Sequence, residues 1–443
     1  MELSELKETA REYGIVGAGG AGFPAYAKMT DAADTVILNC VECEPLLKLH
    51  RQLLQKHPHE IVEMLDLVRQ TFGAKEAVVG IKSEYEETIE AVQQVLPEFP
   101  NVRLCTVRPA YPMGDEVVLI YEATGRIVKP GGLPIHEGVV VYNVETCYNL
   151  WRAVKEKHPV TEKLVSVVGE IDTPKTLLLP IGTPVEEAVK LAGHVTVKDY
   201  SYLLGGPMMG RLGTGDTPIT KTTNAIIILP KDHPIVQKMK KNLAVERRRA
   251  SSACCQCRTC TDLCSRHALG HPIEPHRIMR AVANSDTSDM RVFMNTAFCS
   301  GCGICEKYAC PQGLSPKSII QELKAGLWKA GIKTDPVEER TYADPNREEK
   351  KVPVHRLRER LALSAYEKAA PLSETVPAVS EVRIPLSQHI GAPAVCAVQQ
   401  GDRVEKGQVI GRAADGLSVS IHSSINGVVE RANEKEILIR EVK

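Results

Sequence analysis

The sequence predicts a multidomain α/β protein, and three observations support this fold class. The chain has 443 residues, which at about 100–200 residues per domain allows about two to four domains. Over residues 1–155, short β-rich apolar runs alternate with amphipathic stretches, as in βαβ units around a parallel sheet. Nine of the 14 cysteines fall between Cys254 and Cys310, so one later region has a composition of its own.

Charge and hydropathy exclude several classes of protein. The 55 Lys and Arg balance the 55 Asp and Glu, and 43% of the residues are hydrophobic. Disordered chains have low hydrophobicity with high net charge, and polyanion binders carry net positive charge, so we expect neither disorder nor a nucleic-acid partner. Because no apolar run reaches about 18 residues and the N-terminus is a charged amphipathic segment, we expect a cytoplasmic protein with no membrane span.

Changes in pattern along the chain predict five segments. A run of basic residues (IVQKMKKNLAVERRR) precedes the cysteine cluster, and we interpret it as a solvated or docking face. Glycine-punctuated alternating runs at the C-terminus are typical of a small all-β module. The predicted boundaries are 1–155 for a Rossmann-like domain, 160–232 for a small α+β module, 233–330 for a helical cysteine-bearing domain, 331–380 for a charged linker or strap, and 381–443 for the all-β module.

The cysteine spacing is the most specific signal in the sequence. One run reads C-x2-C-x2-C-x3-C and the next reads C-x2-C-x2-C-x4-C followed by proline. Two such runs form the bacterial ferredoxin arrangement, in which the fourth cysteine of each run binds the cluster of the other. The sequence therefore predicts two 4Fe-4S clusters, one held by Cys254, Cys257, Cys260 and Cys310 and the other by Cys299, Cys302, Cys305 and Cys264.

A pair of structural zinc sites in a non-enzymatic scaffold is the competing interpretation. Zinc modules usually pair two C-x2-4-C half-sites or use histidine, which leaves the repeated third and fourth cysteines unexplained. Cys255 adjoins a ligand but breaks the x2 spacing, so we expect it to be a buried thiol.

A glycine-rich loop near the N-terminus is the second chemical signal. Gly17, Gly19 and Gly22 fit G-x-G-x-x-G, a pattern that lets backbone N–H groups approach a phosphate closely. The loop follows a helix-like segment rather than a strand, so the pattern alone is weak and a plain flexible loop remains an alternative.

The context of this loop resembles a known family. The run Val16–Pro24 (VGAGGAGFP), Lys28, the run 39–45 (NCVECEP), GDE at 114–116 and YNVET at 142–146 are similar to the flavin- and NADH-binding subunit of respiratory complex I and to the RnfC subunit of the Rnf complex. The same resemblance identifies residues 160–232, with the motif GGPMMG, as a β-grasp (SLBB) module. It identifies the C-terminal module as a barrel-sandwich hybrid without the lysine that would carry a prosthetic group.

The resemblance also implies which residues hold the cofactors. Residues expected around FMN are Gly17, Gly19, Gly20, Gly22, Lys28, Asn39, Gly114, Asp115, Asn143 and Thr146. Residues expected to face NADH are Phe23, Glu42, Glu44 and Glu116, and for the three glutamates a surface acidic cluster is the alternative. Val41 stands where the complex I subunit has an aspartate, so one hydrogen bond to the flavin is not expected here.

The order of modules, with the barrel-sandwich hybrid last, resembles the cobalamin reductases of propanediol utilisation. This resemblance implies an oxidoreductase that passes electrons from NADH through FMN and two 4Fe-4S clusters to a corrinoid, with no catalytic acid or base. The alternative is an RnfC-like relay subunit that delivers electrons to a partner protein such as a proline reductase. An adenosyltransferase, a bacterial microcompartment shell and a second copy of the chain are further expected partners.

Overall fold

The structure is a computed structural model that describes residues 1–334 and 342–442. Residues 335–341 of the predicted strap and residue 443 of the predicted C-terminal module lie outside the described residues. None of the helices in the two described ranges has the length and apolar character that crossing a bilayer requires.

The N-terminal part folds around a four-stranded parallel sheet. Its elements are α1 (Leu3–Glu12), β1 (Thr35–Cys40), α2 (Leu49–Lys56), α3 (Pro58–Phe72), β2 (Glu76–Lys82), α4 (Glu86–Val95), β3 (Val102–Val107), β4 (Ala110–Tyr111), α5 (Glu116–Thr124), β5 (Val139–Asn143) and α6 (Val144–Trp151). The four sheet strands lie in the order β3, β2, β1, β5, so the chain builds outward from β1 and then returns to its other side.

Alternate residues of β1 enter two separate hydrophobic cores. Val36 and Leu38 pack in the core that includes α2, α3 and α6, whereas Ile37 packs in the core that includes α5. Because side chains of a strand alternate between its faces, a continuously apolar strand such as β1 is buried on both sides. In such sheets the ligand crevice lies at the carboxyl ends of the strands where the strand order reverses, here between β1 and β5.

The second module is a mixed sheet covered by one helix. Its elements are β6 (Glu162–Gly169), β7 (Lys175–Pro180), α7 (Val185–Ala192), β8 (Tyr200–Leu204), β9 (Arg211–Gly213) and β10 (Ala225–Pro230). A later two-residue strand, Leu372–Ser373, completes a sheet of six strands by pairing with β7. The apolar face of α7 packs on this sheet through Val185, Ala188 and Val189.

The cysteine-bearing domain is helical. Its helices are α8 (Pro234–Met239), α9 (Leu243–Ala253), α10 (Thr259–Asp262), α11 (Pro275–Asn284), α12 (Arg291–Met294) and α13 (Pro316–Lys329). Three of them begin with proline, which lacks the N–H that the first helical turn leaves unpaired. Ala250, Met279 and Ile319 pack α9, α11 and α13 together.

The described part of the predicted strap runs along the first two modules. It contains β11 (Val352–Pro353), α14 (Val354–Arg360) and β12 (Leu372–Ser373). Strand β11 pairs with β4 of the first module, β12 pairs with β7 of the second, and Leu357 of α14 is fully buried.

The C-terminal module consists of two small antiparallel sheets. Its strands are β13 (Glu381–Pro385), β14 (Val395–Cys396), β15 (Arg403–Val404), β16 (Val409–Arg412), β17 (Ile421–His422), β18 (Gly427–Ala432) and β19 (Glu436–Arg440). One sheet has the order β13, β19, β18, β15 and the other β14, β16, β17.

A buried lysine joins three of these modules. Lys221 Nζ donates to the carbonyl oxygens of Gly14 at 2.6 Å and Ser420 at 3.2 Å, while the backbone N–H of Lys221 donates to Gln388 Oε1 at 3.0 Å. Burial lowers the pKa of Lys221 to about 7. The junction therefore contains an ammonium group that loses its proton far more easily than an exposed lysine.

Replacing this lysine by Lys221→Met should remove a pH-dependent part of the stability. Lysine in an unfolded chain has a pKa of about 10.4, so between that value and the folded value the unfolded chain binds more protons and stability rises with pH. From pH 7 to pH 9, wild type should gain up to about 2 kcal/mol relative to the variant. Thermal unfolding of both proteins at pH 7, 8 and 9 measures this, and parallel pH profiles would contradict it.

Candidate cofactor sites

Two asparagines lie side by side at the carboxyl ends of β1 and β5. Asn39 and Asn143 are register partners in the parallel pairing of these strands. Asn39 Nδ2 donates to Gly114 O at 3.0 Å, and Asn39 Oδ1 accepts from the backbone N–H of Val41 at 3.0 Å. Asn143 Oδ1 accepts from the backbone N–H of Glu145 at 2.9 Å and caps α6. The topology thus brings both predicted FMN-binding asparagines to the crevice.

The glycine-rich loop is anchored beside these asparagines. The backbone N–H of Gly17 donates to Phe23 O at 2.9 Å, which closes the loop on itself. The backbone N–H of Ala18 donates to Thr146 Oγ1 at 2.9 Å, and Thr146 Oγ1 donates to Val16 O at 3.3 Å. Thr146, another predicted FMN residue, therefore attaches the loop to the first turn of α6.

The tip of the loop, residues 19–21, is exposed, and at Gly19 there is no room for a side chain. A Cβ atom on Gly19 would lie 2.7 Å from Asn143 Nδ2, and one on Gly20 would meet nothing within 4 Å. Gly22 has a φ of 74°, a conformation that favours glycine. Bare backbone over a strand-end amide is suited to a flavin nucleotide, whose phosphate and ring need close backbone approach.

Lys28 and Glu116 form an ion pair near this loop. Their Nζ and Oε1 atoms are 2.9 Å apart, and the two side chains keep 33% and 36% of their exposure. Lys28 Nζ also lies 6.0 Å from the centroid of the Phe23 ring. The structure thus brings together a residue predicted to contact FMN and two predicted to face NADH, and these roles stay predictions.

Glu42 is buried at the N-terminus of α2. Its two carboxylate oxygens accept from the backbone N–H groups of His50 at 3.0 Å and Arg51 at 3.2 Å. A carboxylate at this position satisfies unpaired helix N–H groups and interacts favourably with the helix dipole. The structure therefore places Glu42 in a helix cap, and the predicted contact with NADH stays a prediction.

Glu44 lies at the contact with the second module. Its carboxylate accepts from the backbone N–H groups of Met208 at 2.7 Å and Met209 at 2.8 Å, in the GGPMMG loop. A Cβ atom on Gly206 would lie 2.1 Å from the Glu44 carboxyl carbon, so glycine is required there. Burial raises the pKa of Glu44 above its ordinary value. Its predicted contact with NADH is likewise untested.

Gly114 and Asp115 connect the crevice with the cysteine-bearing domain. A Cβ atom on Gly114 would lie 2.1 Å from Val41 O, so only glycine fits. Asp115 Oδ1 accepts from the backbone N–H of Val117 at 3.0 Å and caps α5, and it lies 2.8 Å from a guanidinium nitrogen of Arg266. Asp115 is thus both a helix cap and an interdomain ion-pair partner.

One predicted set of cluster ligands lines a single cavity at the surface. We call this set, Cys254, Cys257, Cys260 and Cys310, the outer set. Arg258 and Pro311, both exposed, line the same cavity. Cys255 also lines this cavity, and the four thiols of the outer set suit a 4Fe-4S cluster bound by one thiolate per iron.

The prediction that Cys255 is a buried thiol is wrong, because Cys255 is exposed. Helix α9 ends at Ala253, and the next residues form a surface loop in which Gln256 and Arg258 have positive φ values. Cys254, Cys255 and Cys257 all line the same cavity, and the loop leaves Cys255 exposed to solvent.

The other predicted set of ligands lies deeper. We call this set, Cys264, Cys299, Cys302 and Cys305, the inner set. Burial, with the neighbouring Cys264 and Cys299, raises the pKa of Cys302 to about 12. The backbone N–H of Gly301 donates to Cys299 Sγ at 3.3 Å, and Gly301 and Gly303 both have positive φ. Cys305 interacts with the other three thiols, so the loop that contains Gly301 and Gly303 brings its three cysteines next to Cys264 from an earlier segment.

The inner set adjoins the N-terminal domain of residues 1–155, which we call the flavin-type domain. Tyr111 Oη donates to Cys302 O at 2.6 Å, and Arg266, the partner of Asp115, follows Cys264 by two residues. Sequence reasoning missed Tyr111, Arg266 and His50, the histidine that faces the Asn143 amide. The cysteine motif next to Arg266 was the one local signal, because a charge beside a ligand favours an interdomain contact.

Four family descriptions match the chain, and they cover its modules in order. They are the Nuo51 FMN-binding domain (residues 10–152), the SLBB domain (164–212), the 4Fe-4S dicluster domain (253–315) and the RnfC barrel sandwich hybrid domain (365–440). Together with the crevice and the two cysteine sets, they define a flavin and iron–sulfur oxidoreductase. The predicted fold class is confirmed, and FMN and two 4Fe-4S clusters, rather than zinc, are the cofactors.

Three relatives narrow the class. The chain is 40% identical to cobalamin reductase PduS of Salmonella typhimurium over 99% of its length and 97% of that protein's. It is 38% identical to PduS of Citrobacter freundii with the same coverage. It is 30% identical to a component of the ion-translocating oxidoreductase complex of Erwinia tasmaniensis, over 60% of this chain and 32% of that component. The chain belongs to the PduS cobalamin reductase family.

Two solved structures of an NAD+-reducing [NiFe]-hydrogenase are also similar. For the H2-reduced state the identity is 20% and the TM-score 0.47, with 75% of this chain and 64% of that chain covered. For the air-oxidized state the values are 19%, 0.48, 82% and 66%. The chain thus spans about two thirds of the length of these hydrogenase chains.

Gly19→Ala is expected to weaken FMN binding. The added methyl group would force the Asn143 amide or the loop to move, at the cost of about one hydrogen bond, which corresponds to roughly fivefold in affinity. Titrating apoprotein with FMN and following the loss of flavin fluorescence measures the dissociation constant. Gly326→Ala, on α13 with nothing within 4 Å of its Cβ position, is the control. Equal affinity of the two variants would contradict the prediction.

Proposed function

We propose that this protein is an NADH-dependent cobalamin reductase. The observation that carries the proposal is the end-to-end match with two proteins named cobalamin reductase, in a chain that also has a flavin crevice and two cysteine sets. The reaction balances as one NADH and two cob(III)alamin giving NAD+, one proton and two cob(II)alamin. A second round of single-electron transfer would give cob(I)alamin.

The residues around the crevice would bind and orient the reactants. Asn39, Asn143 and the Gly19 backbone would hold FMN, and Lys28 would offset negative charge there. When bound, FMN accepts an electron pair from NADH and releases electrons singly. The Lys28–Glu116 pair and Phe23 lie at the edge of the loop and would contact the nicotinamide nucleotide.

The position of the two cysteine sets supports an order of use. The inner set contacts the flavin-type domain through Tyr111 and Arg266, whereas Cys257 of the outer set is exposed. We therefore expect electrons to enter the cysteine-bearing domain at the inner set and to leave it at the outer set, where an acceptor can approach.

The reductase proposal predicts turnover by the isolated chain. Anaerobic addition of NADH to the reconstituted protein should bleach the flavin and cluster absorbance, and added cob(III)alamin should then restore it while cob(II)alamin appears. Two cob(II)alamin should form per NADH consumed. Bleaching without any change in the corrinoid spectrum would contradict the reductase and support the relay subunit.

Cys257→Ala is expected to separate the two cysteine sets. The variant should lose the signal of one cluster in electron paramagnetic resonance while NADH still reduces the other, and corrinoid turnover should fall by at least tenfold, about 1.4 kcal/mol in activation free energy. Cys255→Ala removes the other exposed thiol of the same cavity and should keep both signals if Cys257 is the ligand. Unchanged turnover in Cys257→Ala would exclude the outer set as the exit.

The relay subunit remains the second candidate because of two observations. The chain matches one component of an ion-translocating complex over 60% of its length, and the outer set is open to solvent beside the exposed Arg258. A protein acceptor, such as a proline reductase, could dock there.

We also propose an adenosyltransferase as a consumer of the product, because cob(I)alamin is a strong nucleophile that an alkylating enzyme would trap. We further propose that the protein is packaged in a microcompartment shell and that it associates with a second copy of itself.

A further inference from the structure

A buried polar cluster lies behind Asn143. Its members are Glu42, His50, Glu145 and Lys163, and each retains less than a tenth of its exposure. Lys163 belongs to β6 of the second module and forms an ion pair with Glu145. Although burial opposes it, the charge of Lys163 holds the pKa of Glu145 below its ordinary value. Burying four such side chains is costly unless they are paired or hydrogen-bonded, and these partners fix the geometry of the cluster.

The cluster determines how the Asn143 amide is oriented. Asn143 Oδ1 is used by the backbone N–H of Glu145, so Nδ2 is the atom that faces His50 Nδ1 at 3.3 Å. Because Nδ2 is a donor, Nδ1 must be the acceptor, and the ring proton then resides on Nε2. His50 Nε2 lies 3.6 Å from Glu145 Oε2, too long for a hydrogen bond but favourable for a ring N–H facing a carboxylate.

The main chain of His50 is held as well. Its N–H donates to Glu42 Oε1 at 3.0 Å, so the backbone that carries the imidazole is fixed by the cap of α2. The amide of Asn143 is therefore held at both ends, and one N–H of Nδ2 remains unused. That N–H is on the atom that a Cβ atom on Gly19 would approach most closely, at 2.7 Å.

We propose that His50 is a positioning residue for the flavin, whose Nδ1 holds the Asn143 amide so that an N–H donor is presented to the crevice under the glycine-rich loop. The inference rests on the proposed role of Asn143 in binding FMN. Without His50, the amide could turn and present its oxygen, or share its donor with water, and the crevice would no longer offer a defined donor.

Three substitutions distinguish the two ring nitrogens. His50→Asn places a side-chain acceptor near the position of Nδ1, His50→Gln reaches the position of Nε2, and His50→Leu offers neither. We expect His50→Leu and His50→Gln to weaken FMN binding by roughly fivefold or more, and His50→Asn to stay within twofold of wild type. The flavin midpoint potential, measured by spectroelectrochemistry, should shift in the first two variants and not in the third. His59→Asn, an exposed histidine paired with Glu98, is the control.

The outcomes separate this inference from the proposed function. Similar losses in His50→Asn and His50→Gln, or no loss in His50→Leu, would overturn the positioning role. Asn143→Ala tests the site itself. If Asn143→Ala loses affinity while the His50 variants do not, only the inference fails, and if Asn143→Ala binds FMN like wild type, the proposed FMN site fails. Unfolding temperatures of the apoproteins identify a variant that merely fails to fold. If His50→Leu is such a variant, the comparison of His50→Asn with His50→Gln tests the inference.

Discussion

The parallel pairing of β1 with β5 is the constraint on which the rest of the flavin-type domain depends. Because the strand order reverses at this pair, the carboxyl ends of both strands open on the same crevice. The register puts Asn39 beside Asn143, and Asn143 then starts α6, whose Thr146 anchors the glycine-rich loop. A shift of β5 by one residue would move Asn143 out of register with Asn39 and displace the start of α6, to which the loop is attached.

Hydrophobic cores join the modules, and a few polar contacts between them have a role in orientation more than in net stability. Asp115 pairs with Arg266, Tyr111 donates to Cys302 O, and Glu44 receives two N–H groups of the GGPMMG loop. Buried ion pairs recover little more than their desolvation cost, but breaking one leaves an unpaired charge. Such contacts therefore disfavour any other arrangement of the flavin-type and cysteine-bearing domains, and electron transfer between them needs a single arrangement.

A feature of the fold or of the site can be predicted from the sequence when the residues that determine it are close together in the chain. The cysteine sets are encoded in spacings of two to four residues, and the βαβ units in apolar periodicity, so both are visible in the sequence. Glu42 and Glu44 look equivalent in sequence, yet Glu42 caps the nearby helix α2, whereas Glu44 contacts a loop of the second module that is distant in the chain. His50 and Lys163 form no motif at all. Burial of Cys255 was inferred from its place outside the ligand spacing, whereas the surface loop around it decides its exposure.

The place of the C-terminal barrel-sandwich hybrid in the fold is also determined by contacts between residues that are distant in the chain. Lys221 joins Gly14 to Ser420, and the backbone N–H of Ile390 donates to Gly22 O at 3.3 Å, so the last module packs on the base of the first module's glycine-rich loop. The described part of the strap, which pairs with β4 and then with β7, carries the chain back to that surface. The loop is supported by this contact and not by the order of modules in the chain. A barrel at either end of the sequence can therefore support the loop if its connection is long enough to reach this surface.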